Sequence, residues 1–454
     1  MFKKILIANR GEIARRVMRS CKSLSIGAVA VYSEADADLP HVHDADEAVA
    51  IGPASPRESY LSVPTILDAA KQTGADAIHP GYGFLSENAD FAQQVEAAGM
   101  TWIGPSPQSI RDMGDKHKAR EIAIAAGVPV VPGSGSLTDM DDDAIVAEAE
   151  KVGYPLLVKA AGGGGGIGMR QVDKPEDVVK TVEATRSMAG KSFGNDTVFF
   201  ERFIPRARHI EIQVFGFGDG NAVHVFERDC SLQRRFQKVI EESPAPLLPE
   251  DVRQKMADAA LALCRQTKYS GAGTVEFIVD AETFEFFFLE MNTRIQVEHP
   301  VTEMVTGTDL VAMQIEHAAG ELTAMEQSSI KLNGAAIECR LYAEDPKKKF
   351  FPSPGTLNVF RIPEGLENVR IDTGYKEGDA VTPYYDPMVA KVIVWGEDRD
   401  AARALAVEVL GKIEVDGIRT NKDFLIACLQ HKPFAAGDVF TGYIDANLAE
   451  LLPG

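Results

Sequence analysis

The chain has 454 residues, of which 45% are hydrophobic and 25% are charged, and its formal net charge is −20. This length and composition predict a globular protein of about three domains with several apolar cores. The acidic surface repels phosphate backbones and therefore disfavours a nucleic-acid substrate, although local pockets for small anions remain possible.

The N-terminal region alternates predicted strands and helices, which is typical of a Rossmann-like parallel α/β domain. The predicted strands cover residues 5–8, 28–32, 77–80 and 102–105, and the first helix covers 12–24. We expect this domain to occupy residues 1–114.

The middle region, expected at residues 115–332, is predicted to be α+β with an antiparallel sheet. Its predicted strands cover residues 154–160, 169–172, 198–203, 210–217, 222–227, 274–280 and 285–290, and its helices cover 116–126, 177–188 and 307–320. A third region, residues 333–454, is predicted to be α+β as well. Its predicted strands cover 336–342 and 388–395, and its helices cover 399–410 and 421–429.

The five cysteines are scattered, and no pair is spaced as CxxC. An odd, sparse count argues against a disulfide framework and against a cysteine-rich metal site. The chain opens on a strand pattern rather than a signal peptide, and no run approaches the ~18 apolar residues of a membrane span. We therefore expect a cytoplasmic protein with no membrane partner.

Five consecutive glycines at residues 162–166 form the strongest local signal. Glycine lets backbone amides approach a ligand closely, and exposed amides suit phosphate oxygens. The spacing also matches GxGxxG, but that fingerprint needs a helix after the glycines, and here a strand is predicted to follow. We therefore predict a hairpin tip over nucleotide phosphates, with Lys159 nearby meeting the same phosphates. The alternatives are a mobile surface loop without a ligand and a solvent-facing Lys159.

A dense run of polar residues follows a phenylalanine-rich buried strand. In an extended chain, one face would carry Glu290, Asn292, Arg294, Gln296 and Glu298. Burying five polar groups on one side is unfavourable unless they meet a ligand or each other, and their oxygens suit Mg²⁺. Glu276, in a second apolar strand, is a candidate partner for Glu290 at such a site. The alternative is a solvated strand face with a ladder of salt bridges.

Two further polar groups support a site. His209, Glu211 and Gln213 alternate onto one face of a predicted strand. Residues 233–238 form a cationic patch in an otherwise acidic protein, which is suited to anionic substrates.

Seven motifs, in order along nearly the whole chain, together resemble one family. They are residues 8–14 (ANRGEIA), 79–88 (HPGYGFLSEN), 114–116 (GDK), the glycine loop, 227–231 (ERDCS), 290–300 (EMNTRIQVEHP) and 383–386 (PYYD). The family they resemble is biotin carboxylase, the ATP-grasp component of biotin-dependent acyl-CoA and pyruvate carboxylases. The resemblance implies an ATP-grasp fold with an N-terminal Rossmann-like domain, a glycine-rich lid subdomain at about 131–203 and a C-terminal α+β domain.

The resemblance implies a reaction in two stages. Bicarbonate attacks the γ-phosphate of ATP to give carboxyphosphate and ADP, and biotin then takes the carboxyl group. Phosphate released from carboxyphosphate would take the biotin proton. The implied cofactors are ATP, Mg²⁺ or Mn²⁺, and biotin, which acts as a substrate on a carrier.

The resemblance also assigns roles to residues. The implied metal ligands are Glu276, Glu290 and Asn292. The implied ATP contacts are Lys116, Lys159, Gly164, Gly165, Gly166, Glu201, Phe203, His209, Gln233, Glu276 and Glu290. The implied bicarbonate contacts are Lys238, Arg294, Gln296, Val297 and Glu298, with Glu298 as the base. Arg340 would stabilise the enolate-like oxygen of biotin, and Tyr82 would line the biotin pocket. The implied catalytic residues are Lys238, Arg294, Glu298 and Arg340.

Two positions depart from the family pattern. Ile167 stands where relatives often carry a basic residue in the lid, and Phe236 stands where free-standing bacterial enzymes commonly have histidine near the nucleotide. We expect weaker nucleotide contacts or a different subfamily. Activity should be retained, because no metal ligand, base or enolate-stabilising arginine is lost.

The chain contains no Ala-Met-Lys-Met biotinylation motif and no carboxyltransferase segment. We expect biotin to come on a separate biotin carboxyl carrier protein with a separate carboxyltransferase subunit, or on another part of a longer chain. The resemblance suggests a homodimer, with Arg16 and Arg19 either at the interface or simply solvated. The carboxyl acceptor, an acyl-CoA or pyruvate, stays open.

Three other functions fit parts of the sequence. They are an ATP-grasp ligase that passes an acyl-phosphate to an amine, a nucleotide-binding regulatory protein without turnover, and a nicotinamide dehydrogenase. Arg340 and the patch around Lys238 favour biotin carboxylation over the first. The intact acidic and basic site residues argue against the second, and the missing helix after the glycines argues against the third.

Overall fold

The computed structural model describes residues 1–164, 167–193, 195–235 and 237–452. The chain forms an N-terminal parallel sheet, a small three-stranded sheet, and a large antiparallel sheet that extends into the C-terminal region. Two-stranded ladders complete the C-terminal part.

The N-terminal region is a five-stranded parallel sheet with helices around it. Its elements are β1 (Lys4–Ile7), α1 (Gly11–Ser23), β2 (Gly27–Tyr32), α2 (Pro40–Asp44), β3 (Glu47–Ala50), α3 (Val63–Thr73), β4 (Ala77–His79), α4 (Ala89–Ala97), β5 (Thr101–Trp102) and α5 (Pro107–Gly114). The strand order is β3-β2-β1-β4-β5, with every pair parallel. Ile5 and Ile7 face one hydrophobic cluster and Leu6 faces another. Both faces of the sheet are therefore covered, as in other parallel sheets, and the predicted parallel α/β domain is confirmed.

A small sheet carries the glycine-rich segment. Its elements are α6 (Lys116–Ala125), α7 (Asp142–Val152), β6 (Leu156–Gly164), β7 (Ile167–Val172), α8 (Val178–Phe193) and β8 (Val198–Arg202). Strand β6 pairs antiparallel with both β7 and β8, over a core that includes Val158, Val182 and Phe200. The strand predicted after the glycines is thus present, and the helix that a dinucleotide fingerprint requires is not found there among the described residues.

The large antiparallel sheet has eight strands. The remaining elements of the middle region are β9 (Ala207–Phe217), β10 (Ala222–Arg234), β11 (Gln237–Ser243), α9 (Glu250–Thr267), β12 (Ser270–Asp280), β13 (Phe286–Asn292), α10 (His299–Thr306) and α11 (Leu310–Ala318). The C-terminal elements are β14 (Ala335–Tyr342), β15 (Glu344–Asp345), β16 (Phe351–Pro352), β17 (Gly355–Thr356), β18 (Val359–Arg361), β19 (Val369–Thr373), β20 (Ala380–Val381), β21 (Met388–Gly396), α12 (Arg399–Lys412), β22 (Glu414–Asp416), α13 (Lys422–Gln430), α14 (Lys432–Ala435) and α15 (Tyr443–Leu451). The strand order is β13-β12-β9-β10-β11-β14-β21-β19, so one sheet continues across residue 332. The domain boundary that we expected there stays a prediction.

The extended strand predicted through Glu298 is wrong. Strand β13 ends at Asn292, which pairs with Thr274, and the chain then turns into α10 with Glu298 at the N-cap. Pro300 lies in the first turn of α10, where proline is tolerated because its missing N–H would have no partner within the helix. The helix predicted from 307 begins later, because Gly307 ends α10 with a φ of 71°.

The structure contradicts the solvated alternative for Arg16, and the interface alternative stays a prediction. Its side chain is 2% exposed, and Nη2 donates to Glu303 at 2.6 Å and to Asp309 at 2.7 Å. Arg16 therefore ties α1 to the α10–α11 region within one chain, whereas the side chain of Arg19 is 53% exposed.

No helix in the part of the chain that the structure describes is both long enough and apolar enough to cross a membrane.

Candidate active site

Three carboxylates lie in one row across neighbouring strands, and we call Glu211, Glu276 and Glu290 the acid row. Glu276 of β12 pairs with Glu211 of β9 on one side and with Glu290 of β13 on the other. Directly paired residues of antiparallel strands share a face, with Cβ atoms about 5 Å apart. Like charges at this spacing destabilise a sheet, so the row requires cations beside it.

Lys238 supplies one of these cations. Its Nζ contacts three carboxylate oxygens, at 2.7 Å in Glu211, 3.0 Å in Glu276 and 2.6 Å in Glu298. Burial by itself would lower the pKa of Lys238, but Cys230 and the three carboxylates raise it well above its usual value. Lys238 therefore stays charged and holds together acids from three separate segments.

Arg228 supplies a second cation, and its side chain is fully buried. Its Nε donates to Oε1 of Glu211 at 2.5 Å. The other guanidinium nitrogens donate to Gln213 at 2.8 Å, Thr302 at 2.9 Å and Thr274 at 3.1 Å. Because protein groups use its donors, Arg228 fixes Glu211 in place rather than serving a ligand.

Glu298 lies between two cations and is buried. Its Oε1 accepts from Lys238, and its Oε2 accepts from Nη2 of Arg340 at 3.1 Å. Burial would raise the pKa of Glu298, but Lys238, Arg340 and Arg228 lower it well below its usual range. The carboxylate is therefore ionised at neutral pH and able to accept a proton. We call Lys238, Arg340 and the carboxylates of Glu211, Glu276 and Glu298 the buried cluster.

The turn after β13 brings two further predicted residues back to the sheet. Arg294 donates to Gln296 at 2.9 Å and to Asn292 at 3.0 Å, and its Nε donates to Glu87 of the N-terminal region at 3.0 Å. Gln296 in turn donates to Oε1 of Glu276 at 3.0 Å. The predicted bicarbonate residues are thus close together, although a turn rather than a strand arranges them.

Glu290 lies at the open end of the acid row. Its side chain is 39% exposed, and its ion pair is with Lys116, at 3.9 Å and itself 88% exposed. Burial and the neighbouring Glu276 raise the pKa of Glu290, which indicates that added positive charge would stabilise this end. Asn292 lies beside Glu276, to which its Nδ2 donates at 2.9 Å. Two carboxylates and an amide oxygen form a hard oxygen donor set, so these residues fit Mg²⁺.

Two predicted ATP contacts border the buried cluster. Nε2 of His209 lies 2.9 Å from Oε2 of Glu276. Burial lowers the pKa of His209, but Glu276 opposes it and the net shift is upward. Gln233 of β10 is buried and pairs in register with Lys238 of β11.

The other predicted ATP contacts lie in or beside the small sheet. Lys159 of β6 forms an ion pair with Glu201 of β8 at 2.8 Å, and the amide of Phe203 donates to the carbonyl of Pro155. Gly164 ends β6 and Ile167 begins β7. Gly165, Gly166 and Phe236 lie outside the described residues. No described contact joins Lys159 or Glu201 to the buried cluster.

The two predicted biotin residues come from distant parts of the chain. Tyr82, in the loop after β4, donates its hydroxyl to Glu12, and its ring centroid lies 6.0 Å from Nζ of Lys391. Burial raises the pKa of Tyr82, and Arg340 is near enough to oppose that shift. Tyr82 and Arg340 therefore border the same region.

Three buried charged residues escaped the sequence analysis. Nζ of Lys391 donates to the carbonyl of Val297 at 2.8 Å and pairs with Glu12 at 3.2 Å. Glu241 pairs with Arg340 at 2.5 Å, and Glu338 is fully buried beside it. The sequence did carry a signal for two of them. Lys391 is the one charged residue of the predicted strand 388–395, and Glu338 stands with Arg340 in the predicted strand 336–342.

Family models match most of the chain. Residues 1–110 match the N-terminal domain of biotin carboxylase, residues 338–446 match its C-terminal domain, and residues 115–325 match the ATP-binding domain of the carbamoyl-phosphate synthase L chain. The chain belongs to the biotin carboxylase family. The predicted ATP-grasp fold, the ligase class and the ATP-dependent carboxylation of biotin are confirmed with it.

Individual relatives agree with this assignment. Biotin carboxylase 1 of Bacillus subtilis is 48% identical over 445 residues, which cover 98% of each chain. The mitochondrial methylcrotonoyl-CoA carboxylase subunit alpha of Arabidopsis thaliana is 51% identical over 448 residues, or 99% of this chain. The chain spans only 61% of the length of that subunit.

A solved structure shows the same fold with ligands. It is the biotin carboxylase domain dimer of Hydrogenobacter thermophilus 2-oxoglutarate carboxylase, in complex with MgADP, ADP and bicarbonate. It is 44% identical, has a TM-score of 0.89, and covers 100% of this chain and 99% of its own. The predicted use of ATP, Mg²⁺ and biotin is confirmed for this family.

Proposed function

We propose that the buried cluster is where this chain activates bicarbonate and carboxylates biotin. The observation that carries the proposal is the position of Glu298, which is ionised, buried and held between Lys238 and Arg340. One carboxylate thereby meets both the cation assigned to bicarbonate and the cation assigned to biotin. A general base must lie within hydrogen-bond reach of the proton that it takes, and this arrangement offers that reach to a bicarbonate ion beside Lys238.

Bicarbonate would bind to Lys238, Arg294, Gln296 and the backbone of Val297. Both cations now have carboxylate partners, so the anion would share them with those carboxylates. When Lys238 also interacts with bicarbonate, it stabilises the anion of Glu298 less. The pKa of Glu298 then rises, and Glu298 becomes a better proton acceptor. Deprotonated bicarbonate then attacks the γ-phosphate of ATP, giving carboxyphosphate and ADP.

The nucleotide would lie towards the open end of the acid row. Glu276, Glu290 and Asn292 would hold Mg²⁺, which offsets negative charge on the phosphates when bound. Lys116 is exposed there and free to turn from Glu290 to a phosphate, since their ion pair is long at 3.9 Å. Lys159 and Gly164 would approach the phosphates from the small sheet. Gly165, Gly166, Glu201, Phe203, His209 and Gln233 would be further nucleotide contacts.

Biotin would lie between Tyr82 and Arg340. The guanidinium of Arg340 is already fixed by two carboxylates, so little reorganisation is needed to stabilise an enolate-like oxygen. The phosphate set free from carboxyphosphate would take the biotin proton, and no second protein base is required.

The carboxylated biotin would be carried by a biotin carboxyl carrier protein to a carboxyltransferase. The 51% identity to a methylcrotonoyl-CoA carboxylase subunit favours an acyl-CoA as the final acceptor over pyruvate. A homodimer is supported by the dimeric solved relative, with the exposed Arg19 as a candidate interface residue.

The reaction is tested by measuring ADP release with ATP, Mg²⁺ and bicarbonate, with and without free biotin. We expect release to depend on bicarbonate and to rise with biotin. E298Q should lower it by about 10² to 10⁴, the usual contribution of a positioned acid–base group, while ATP binding is kept. Wild-type release that ignores biotin, or an E298Q variant as active as wild type, would contradict the proposal.

A further inference from the structure

Two buried carboxylates beside Arg340, those of Glu241 and Glu338, have no role in the proposed reaction. Glu241 of β11 pairs directly with Glu338 of β14, and both side chains are fully buried. Oε1 of Glu241 lies 2.5 Å from Nη2 of Arg340. Among the described residues, neither oxygen of Glu338 and neither oxygen of Glu241 has a hydrogen-bond partner, although Oε1 of Glu241 makes the ion pair with Arg340. Unpartnered buried oxygens are unfavourable, so this pair calls for an explanation.

The charges around the pair indicate how many protons it holds. Burial raises the pKa of Glu241, to about 7 even with Arg340 beside it, and raises the pKa of Glu338 well above its usual value even with Lys391 nearby. No cation in the described part of the chain lies within ion-pair distance of Glu338. Two adjacent carboxylates in such surroundings share a proton rather than both ionise. The ion pair with Arg340 places the remaining negative charge on Glu241.

Arg340 consequently has two carboxylate partners of different kinds. Glu298 lies in the reaction site and loses its charge whenever it accepts a proton from bicarbonate. Glu241 lies on β11 and accepts no proton in the proposed reaction, so its ion pair with Arg340 persists through that step. Without Glu241, Arg340 would lose its ionised partner at the stage when its guanidinium must face biotin.

We propose that Glu241 is a positioning residue for Arg340, and that Glu338 supports it by holding the proton of the pair. This inference rests on the proposed function, because it assumes that Arg340 serves biotin. We expect Glu241 to affect the biotin step alone, because none of its described contacts is with Glu211, Glu276 or Glu290 of the acid row.

The test compares E241Q with E242Q. Glu242 is the next residue of β11, is also buried, and pairs with Arg399 at 2.5 Å on the opposite face of the strand. The two variants therefore make the same substitution at equal burial, and both break an ion pair to an arginine. For each, kcat and KM are measured for free biotin and for ATP from ADP release, together with thermal unfolding.

We expect E241Q to lower kcat/KM for biotin about tenfold or more, as is typical when a functional side chain loses its orienting partner. Its KM for ATP should stay within about twofold of wild type, and E242Q should change neither value. E241D, which keeps the charge on a shorter side chain, should recover part of the loss. If the glutamine variants do not fold, E241D and E242D are compared instead, and E241D should show a smaller loss that is again confined to kcat/KM for biotin.

The inference is overturned if E241Q leaves kcat/KM for biotin unchanged, or if E241Q and E242Q lower the biotin and ATP values alike. The latter result would mean that Glu241 serves the fold only. A wild-type enzyme whose ADP release ignores biotin would instead contradict the proposed function, and this inference with it.

Discussion

The buried cluster and the open end of the acid row hold their charges in different ways. In the buried cluster, Lys238 lies 2.6 Å from Glu298, and the two side chains are 13% and 1% exposed. At the open end, Lys116 lies 3.9 Å from Glu290, and the side chains are 88% and 39% exposed. Attraction between charges is stronger where water is excluded and is screened where it is not. The proposed bicarbonate and biotin side is thus organised by protein groups alone, whereas the proposed metal side would be completed by ATP and Mg²⁺.

The largest expected effect comes from removing the cation of the buried cluster. K238M leaves the carboxylates of Glu211, Glu276 and Glu298 close together without their shared partner. Breaking a buried ion pair on one side costs about 3–5 kcal/mol, so the free energy of unfolding should fall by roughly that amount. Biotin-dependent ADP release should also be lost. Urea denaturation and the release assay measure the two effects, and a K238M variant as stable as wild type would contradict this account of the cluster.

The next effect concerns how stability depends on pH. The pKa of Glu298 is lowered in the folded chain, so its contribution is fully present above the unfolded pKa of about 4.3 and is lost as pH falls through the folded value. The free energy of unfolding should therefore fall as pH decreases below about 5. In E298Q this slope should be shallower by up to ~1.4 kcal/mol per pH unit, the linkage of one proton.

E290Q is the matched control for that measurement. The pKa of Glu290 is raised, so its contribution to stability is present at low pH and is lost as pH rises through its folded value. E290Q should not make the acid slope shallower. Equal slopes in wild type and E298Q, measured by denaturation from about pH 3 to pH 7, would show that Glu298 is not held as an anion by its neighbours.

The smallest expected effect on stability lies outside the buried cluster, at the open end of the acid row and in the small sheet. K116M and K159M remove lysines whose ion pairs are partly exposed, so each should change the free energy of unfolding by less than about 1 kcal/mol. Both should nevertheless raise the KM for ATP, because these lysines are free to turn to phosphates. Parallel urea denaturation and ADP-release assays check this. A loss of stability as large as in K238M would show that these exposed ion pairs stabilise the fold as strongly as the buried cluster does.

Local patterns were enough to predict most elements near the site. The alternation of apolar residues predicted β9, β12 and β14 to within a few residues, and the strand after the glycines was found as β7. The failure at residues 293–298 has a physical cause. Polar alternation there resembles a strand, but the described pairing of β13 ends at Asn292, and α10 begins at His299 with Pro300 in its first turn. Helix α9 was not predicted, although it is the longest helix described.

The site was predictable where its residues belong to a recognisable motif. Glu290, Arg294 and Glu298 stand in one such motif, and the structure brings them to one place. Glu241 and Lys391 belong to no motif, and each stands in a strand that looks structural. Their importance appears only when the strand register sets Glu241 beside Glu338, and Lys391 beside Arg340.

The sequence by itself determined the family, the fold class and the residues that are able to carry the chemistry. Tertiary structure decided which charges meet: Lys238 with three acids from separate segments, Arg294 with Glu87, and Arg340 with Glu241. The physical reason is that the residue type fixes which chemical groups a side chain offers. Which groups it contacts depends on the strand register between segments that are far apart in sequence. Burial, which makes those partnerships strong, is likewise settled only when the sheet is assembled.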